Sequence, residues 1–303
     1  MYYLIKESLI PCNADEILRD EAQYAAVLTV DEWRKQRESF DIAIDMEIGA
    51  LQETKAVVNL DSLTGTFSIP DRDSISSTPH RFAFALNKKG IVLIDDTNYV
   101  SEMMQTISRT KKWKLPSLER FLYDLLEMTI SQDLTLLEKS EHRLNLIEEG
   151  ILHGSIKAYP EEMNDIRGDL LDLRVHYEQL IDLGQELEEN ENDFFTEDNL
   201  RYFHLFLNRM ARLYDVAGSL RDYTVQLNDL YKSRIDMRQN RIMTVLTVVT
   251  AIFMPLTLIV GWYGMNFVYM PELQSPFGYP AVMIVSLLIV LFCLIFFKRK
   301  KWL

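Results

Sequence analysis

Cysteine is almost missing from these 303 residues: Cys12 and Cys293 are the only two, nearly a whole chain apart, so no disulfide framework is implied. Positive charge is in deficit as well. Lys and Arg number 32 against 45 Asp and Glu, a formal net charge of -13, which argues against nucleic acid as a partner. Cations are the natural counter-species of such a surface, although a merely solvated acidic face has the same composition. The five histidines, His80, His142, His153, His176 and His204, show no pairing at metal-ligand spacing, which disfavours a hydrolytic metal centre. No ATP-binding motif is present and nothing points to covalent chemistry, so an enzyme is not expected. The apolar patch from Met1 to Ile10 is broken by Lys6 and Glu7 and is too short for a signal-peptide core, which leaves the N-terminal body expected in the cytoplasm.

Charge of either sign disappears from two stretches near the end, the 22 residues from Ile242 to Tyr263 and the 21 from Phe277 to Phe297. Each is long enough to cross a bilayer as a helix, which takes about 20 apolar residues. Lys232, Arg234, Arg238 and Arg241 precede the first run, and Lys298, Arg299, Lys300 and Lys301 follow the second. The loop between, 264–276, has no Lys or Arg and one acid, Glu272. The positive-inside rule therefore places both termini in the cytoplasm and the loop outside a cell membrane, with Trp262, Tyr263, Tyr269 and Tyr279 as an interfacial aromatic belt.

What is present upstream divides by pattern. Residues 1–97 read as a small α/β domain, with strands expected at Ala25–Val30, Lys55–Leu60 and Gly65–Ile69, and a hairpin of Phe82–Leu86 and Ile91–Ile94 closed by Asn87-Lys88-Lys89-Gly90. Residues 98–195 read as helical: Leu115-Pro116-Ser117 starts one helix that continues to Ile151 before Gly154, and a second is expected from Pro160 to Glu189. Thr196, followed by Glu197 and Asp198, is the expected cap of a third helix. Between Thr196 and Pro255 there is no proline and only one glycine, Gly218, so nothing local stops this helix before the membrane. Unbroken over 196–263 it would be on the order of 100 Å long. Stalks of that length are usually stabilised by copies of themselves, and Phe206, Met210, Leu213, Ala217, Leu220, Thr224, Leu227 and Tyr231 supply an apolar seam in steps of three and four.

The same rhythm continues into the membrane at Asn240, Met243, Thr247, Thr250, Met254, Thr257 and Gly261. Two readings stay open on periodicity alone. Small and hydroxyl residues let spanning helices pack closely; alternatively, several copies around an axis turn each position into a ring, giving a polar pathway with apolar constrictions.

The residues around the loop narrow this. Gly261-Trp262-Tyr263-Gly264-Met265-Asn266-Phe267, then Met270-Pro271-Glu272-Leu273, then the basic tail 298–303 resemble the CorA family of divalent-cation transport proteins. Leu246-Thr247 and Phe253-Met254-Pro255-Leu256-Thr257 extend the likeness. The resemblance implies an α+β cytoplasmic domain, a long helical stalk running into the first of two transmembrane helices, and a homopentameric funnel in membrane lipid whose first spans line the pore. It also implies Mg²⁺ as the usual ion. Residue by residue, Asn266 matches the outer selectivity position, with Gly264 and Met265 holding the loop. Asn240 matches a polar ring at the cytoplasmic end; Met243, Leu246 and Met254 match hydrophobic constrictions, and Thr247, Thr250, Thr257 and Gly261 share the path. Glu272 is a candidate for attracting cations from outside.

Chemistry agrees with a neutral mouth. Mg²⁺ demands octahedral oxygen coordination and gives up water reluctantly, so amide and backbone carbonyls hold it with its hydration shell, while a carboxylate ring would bind too tightly for flux. One position departs from the family: an aspartate that helps bind regulatory Mg²⁺ near the start of the stalk aligns with Leu205, which cannot ligate a metal. Asp198, Asp215, Asp222 and the run Glu186–Asp193 are the acids available to replace it. Two alternatives remain: a relative carrying Zn²⁺, Co²⁺ or Ni²⁺ with or without proton coupling, and a non-conducting membrane-anchored coiled-coil scaffold or sensor.

Overall fold

The computed structural model describes residues 1–19, 22–40, 42, 53–72, 75, 77–154, 159–267, 270, 271, 275–300 and 302. These form two compact units, Met1–Asn228 and Asp229–Leu303.

The first unit carries a seven-stranded sheet. In chain order its elements begin with β1 (Tyr2–Ile5), β2 (Leu9–Cys12), α1 (Ala14–Arg19), β3 (Tyr24–Leu28), α2 (Val30–Gln36), β4 (Lys55–Val58), β5 (Leu63–Ile69), β6 (His80–Asn87) and β7 (Gly90–Ile94). The strand order is β2-β1-β3-β7-β6-β5-β4. Every neighbouring pair is antiparallel except β3 and β7, which run parallel with Ala26 opposite Val92. Alternation along the strands sorts their side chains onto two faces. Ala26, Leu28, Ala83, Ala85, Val92 and Ile94 join Trp33 and Phe40 in one core cluster. Phe84, Leu86 and Ile91, with Phe67, point the other way and meet leucines of two later helices.

Those helices follow the sheet: α3 (Tyr99–Thr110), α4 (Leu118–Thr129), α5 (Asp133–Leu152), α6 (Tyr159–Glu189) and α7 (Arg201–Tyr263). Leu122, Leu125 and Leu126 of α4 and Leu183 and Leu187 of α6 form the far side of that second core. Ser117 caps α4 by accepting the Arg120 amide at 3.2 Å, as the Leu-Pro-Ser start signal predicts. The expected α6 is observed one residue longer at its start.

Several expectations are corrected. Val30 is not the end of a strand but the first residue of α2, because Thr29 and Glu32 form a reciprocal capping box. The strand expected to reach Leu60 stops at Val58, and Leu60 stands in solvent. The hairpin loop shrinks to Lys88-Lys89, since Asn87 pairs with Gly90 and accepts the Lys89 and Gly90 amides on its own Oδ1, at 2.9 and 3.1 Å. The helix expected from Pro116 to Ile151 is two helices broken at residues 130–132. Thr196 precedes a 3₁₀ turn at Glu197–Asn199 rather than α7 itself, and makes no side-chain cap. Its amide instead donates to the buried carboxylate of Glu119, at 2.8 Å, from a different helix.

The stalk seam needs the largest correction. Phe206, Met210, Leu213, Ala217, Leu220, Thr224 and Leu227 are all buried within this single unit. Gly184 of α6 lies against Phe206 and Leu207, Arg174 of α6 donates to Tyr214 at 2.7 Å, and the Tyr223 hydroxyl donates to Glu148 of α5 at 2.8 Å. As far as Leu227 the seam is satisfied by the chain's own helices, so that part is no argument for packing against copies; Tyr231, its last member, is only partly buried and lies in the second unit.

Candidate functional site

The second unit holds the remainder of α7 and α8 (Gly278–Arg299), which among the described residues are the two helices long and apolar enough to cross a membrane. Between Asn240 and Val260 of α7, the less exposed positions are Thr244, Val248, Ala251, Ile252, Pro255, Leu256 and Ile259. On α8 beyond Gly278 they are Val282, Ser286, Ile289, Val290, Cys293 and Phe297. Both sets recur in steps of three and four, and Cys293 Sγ contacts the Ala251 carbonyl, so these are the faces the two helices turn toward each other.

The motif stripe lies elsewhere on α7. At about 100° per residue, Asn240, Met243, Leu246, Thr247, Thr250, Met254, Thr257 and Gly261 occupy an arc of about 120°, centred roughly 140° from the face toward α8. All eight are exposed, Met254 to 67%. A Cβ built on Gly261 would meet nothing within 4 Å, so this end of the stripe is open. Val249, Thr250, Phe253, Met254, Thr257 and Leu258 line a concavity that continues past Gly261 to Trp262 and Met265.

The hydroxyls on this helix are oriented by its own backbone. Thr247 Oγ1 donates to the Met243 carbonyl at 2.8 Å and Thr250 Oγ1 to the Leu246 carbonyl at 2.8 Å, while Thr244 Oγ1 donates to Asn240 at 2.9 Å. A hydroxyl that has spent its proton in this way turns only acceptor lone pairs outward. At Thr247 and Thr250 those lone pairs face the uncovered side, a surface suited to a cation or to the water around one.

Above the stripe, α7 ends at Tyr263 and the chain turns through Gly264, whose amide donates to the Val260 carbonyl at 2.9 Å. Glycine is required there by close approach: a Cβ would lie 2.8 Å from the Val260 oxygen. The Met265 amide reaches the Trp262 carbonyl at 3.4 Å, and Asn266 follows as an exposed residue outside the helix. Glu272 lies outside the described residues.

The acids considered for a regulatory metal are not gathered. Among the described residues no group of three or more His, Cys, Asp or Glu could hold a metal ion within one chain. Leu205 is exposed on α7, and Asp222 is paired with Arg221 at 2.7 Å. Of the histidines, His80 stacks on Tyr99, His204 contacts Glu188, and His176 is buried. Burial first, and the Arg72 charge second, hold His176 down at about 3.

The family model described as "CorA-like Mg2+ transporter protein" matches residues 34–299. The Thermotoga maritima protein named cobalt/magnesium transport protein CorA is 33% identical over 182 residues, 60% of this chain and 52% of its own. The Escherichia coli K12 magnesium transport protein CorA is 48% identical over 69 residues, 23% of this chain and 22% of its own. The chain thus spans about half the length of the first of these relatives and less of the second. Among solved structures, the CorA magnesium transporter of Methanocaldococcus jannaschii superposes with a TM-score of 0.80 at 19% identity, over 100% of this chain and 98% of that one. The full-length CmaX protein superposes at 0.72 with 16% identity, over 99% and 97%. At such identities the likeness establishes the fold.

Proposed function

We propose that this chain, which belongs to the CorA-like Mg2+ transporter family, forms a passive pore for hydrated Mg²⁺ in a cell membrane. One observation carries the reading: the polar and methionine stripe from Asn240 to Gly261 stays uncovered on the side of α7 away from α8, leading toward Gly264, Met265 and Asn266. A stripe that only served packing between the two spans would face α8. In this reading copies of the chain, five by the family plan, bring their stripes around a common axis, and α8 forms the outer layer against lipid.

Each position then has a role. Asn266 offers a ring of amide oxygens at the outer mouth, positioned by the tight Gly264 turn and by Met265 beside Trp262. Thr257, Thr250 and Thr247 supply oxygen below it. Met254, Leu246 and Met243 are apolar constrictions at which the path can dewet, and Asn240 closes the cytoplasmic end. A divalent ion crossing the potential gains about 4.6 kcal/mol per 100 mV, twice the single-charge value, so no fuel is required. The Thermotoga relative is named for cobalt as well as magnesium, which supports Co²⁺ as a second permeant ion.

Uptake of Mg²⁺ into liposomes holding a Mg²⁺-sensitive dye tests this, with wild type compared against Asn266→Ala. The substitution is expected to remove most of the flux while leaving assembly intact. Equal flux from both proteins, or Zn²⁺ entry that requires a pH gradient with no Mg²⁺ entry, would refute the proposal.

A further inference from the structure

Pro255 sits inside α7 and has no amide hydrogen, so the carbonyl of Ala251, four residues earlier, loses the bond that an uninterrupted helix would give it. In hydrocarbon no water replaces that bond, and a backbone oxygen without a donor is costly. The structure supplies a donor from the other helix. Cys293 Sγ of α8 lies 3.9 Å from the Ala251 oxygen, within reach of a thiol hydrogen bond. Both residues fall on the facing, partly covered sides of their helices.

We infer that Cys293 is a positioning residue for α7: its thiol takes the place of the amide that Pro255 lacks and ties α8 to the point where the first span can bend. Two sequence features then have one explanation. Proline within a spanning helix is tolerated when a neighbouring helix satisfies the freed carbonyl, and the neighbour here does so with a cysteine in a segment otherwise without donors around it. The bend matters because Pro255 lies between Met254 and Thr257, so the direction taken by the helix beyond it decides how the outer part of the stripe lines up with the inner part. This consequence for transport rests on the proposed pore, whereas the bond itself does not.

Infrared spectroscopy of the full chain in liposomes reads the bond without any transport. With Cys12→Ser as background, Cys293 is the single thiol, and its S–H stretch is expected at lower wavenumber than that of a free thiol. Adding Pro255→Ala restores an amide to the Ala251 carbonyl, and the band is expected to return toward the free-thiol position. A free-thiol band while Pro255 is present overturns the inference, and so does a lowered band that Pro255→Ala leaves in place. Flux gives the second arm. Cys293→Ala is expected to change Mg²⁺ uptake about threefold, the scale of one weak hydrogen bond. Cys293→Ser, which keeps a donor, is expected to recover most of the change, and Cys293→Ala is expected to have no further effect in Pro255→Ala. An equal fold-change in both backgrounds removes the link to the proline. Should the chain carry no Mg²⁺ at all, the proposed pore fails while the infrared arm still decides the bond.

Discussion

Arg72 and Asp133 form a buried ion pair in which one carboxylate oxygen, Oδ1, receives both Nε at 2.9 Å and Nη2 at 2.8 Å. The Asp133 side chain is fully buried and begins α5, where the helix N-terminus also favours a negative charge. Arg72 also donates to the carbonyls of Pro70 and Thr129, so it fastens the end of β5 to the junction of α4 and α5. Removing one partner of such a pair strands a charge in the interior, at a cost of about 3–5 kcal/mol. Arg72→Met is therefore expected to lower the thermal midpoint of the detergent-solubilised protein by several degrees. The double change Arg72→Met with Asp133→Leu should recover most of that loss, and a double variant as unstable as the single one would contradict this account.

His176 makes stability depend on pH in a stated direction. Its folded value of about 3 lies below the ordinary 6.5, so the folded state keeps the ring neutral while the unfolded chain takes up a proton. The stability it contributes is complete above pH 6.5 and declines as pH falls from there toward 3, at up to about 1.4 kcal/mol per pH unit. Melting curves between pH 7 and pH 4 should show this decline. In His176→Gln the slope should be shallower by about one proton's worth, and an unchanged slope would exclude the histidine as its source.

Leu205 bears on control from inside. A leucine at the matched ligand position predicts that internal Mg²⁺ exerts little closure through this site, and that Leu205→Asp creates sensitivity. Uptake measured with and without Mg²⁺ preloaded in the liposomes should show stronger inhibition in the variant. Steep inhibition already present in wild type and unaltered by the substitution would show that another site governs closure.

The sequence made the spans, α6 and the β6–β7 hairpin legible because each is marked locally: uncharged runs, a proline near a helix start, a glycine ending a two-residue loop. Elements without such marks were missed. β1 and β2 are only four residues each, on either side of a charged turn at Lys6 and Glu7, and their strand character comes from pairing with β3 and with each other. No proline or glycine announces the break at 130–132; it is the place where Arg72 meets Thr129 and Asp133 from another part of the chain. Glu119 acting on the Thr196 amide is equally invisible, since 77 residues separate the two. The stalk seam misled for a related reason: periodicity shows that a face is buried and says nothing about what buries it. For the candidate site, the stripe itself was readable from its spacing. Its relation to α8 required the structure, as did any role for Cys293.

The back-bonded threonines bear on which species can travel the proposed path. Proton hopping along hydroxyls needs each group to accept a hydrogen bond on one side and donate one on the other. Thr247 and Thr250 have already committed their single hydrogen to the carbonyls of Met243 and Leu246. Neither can hand a proton onward without first breaking from its own helix. In the proposed pore these two threonines therefore act as oxygen acceptors held by their own helix, facing a hydrated metal ion without taking part in a hydroxyl relay.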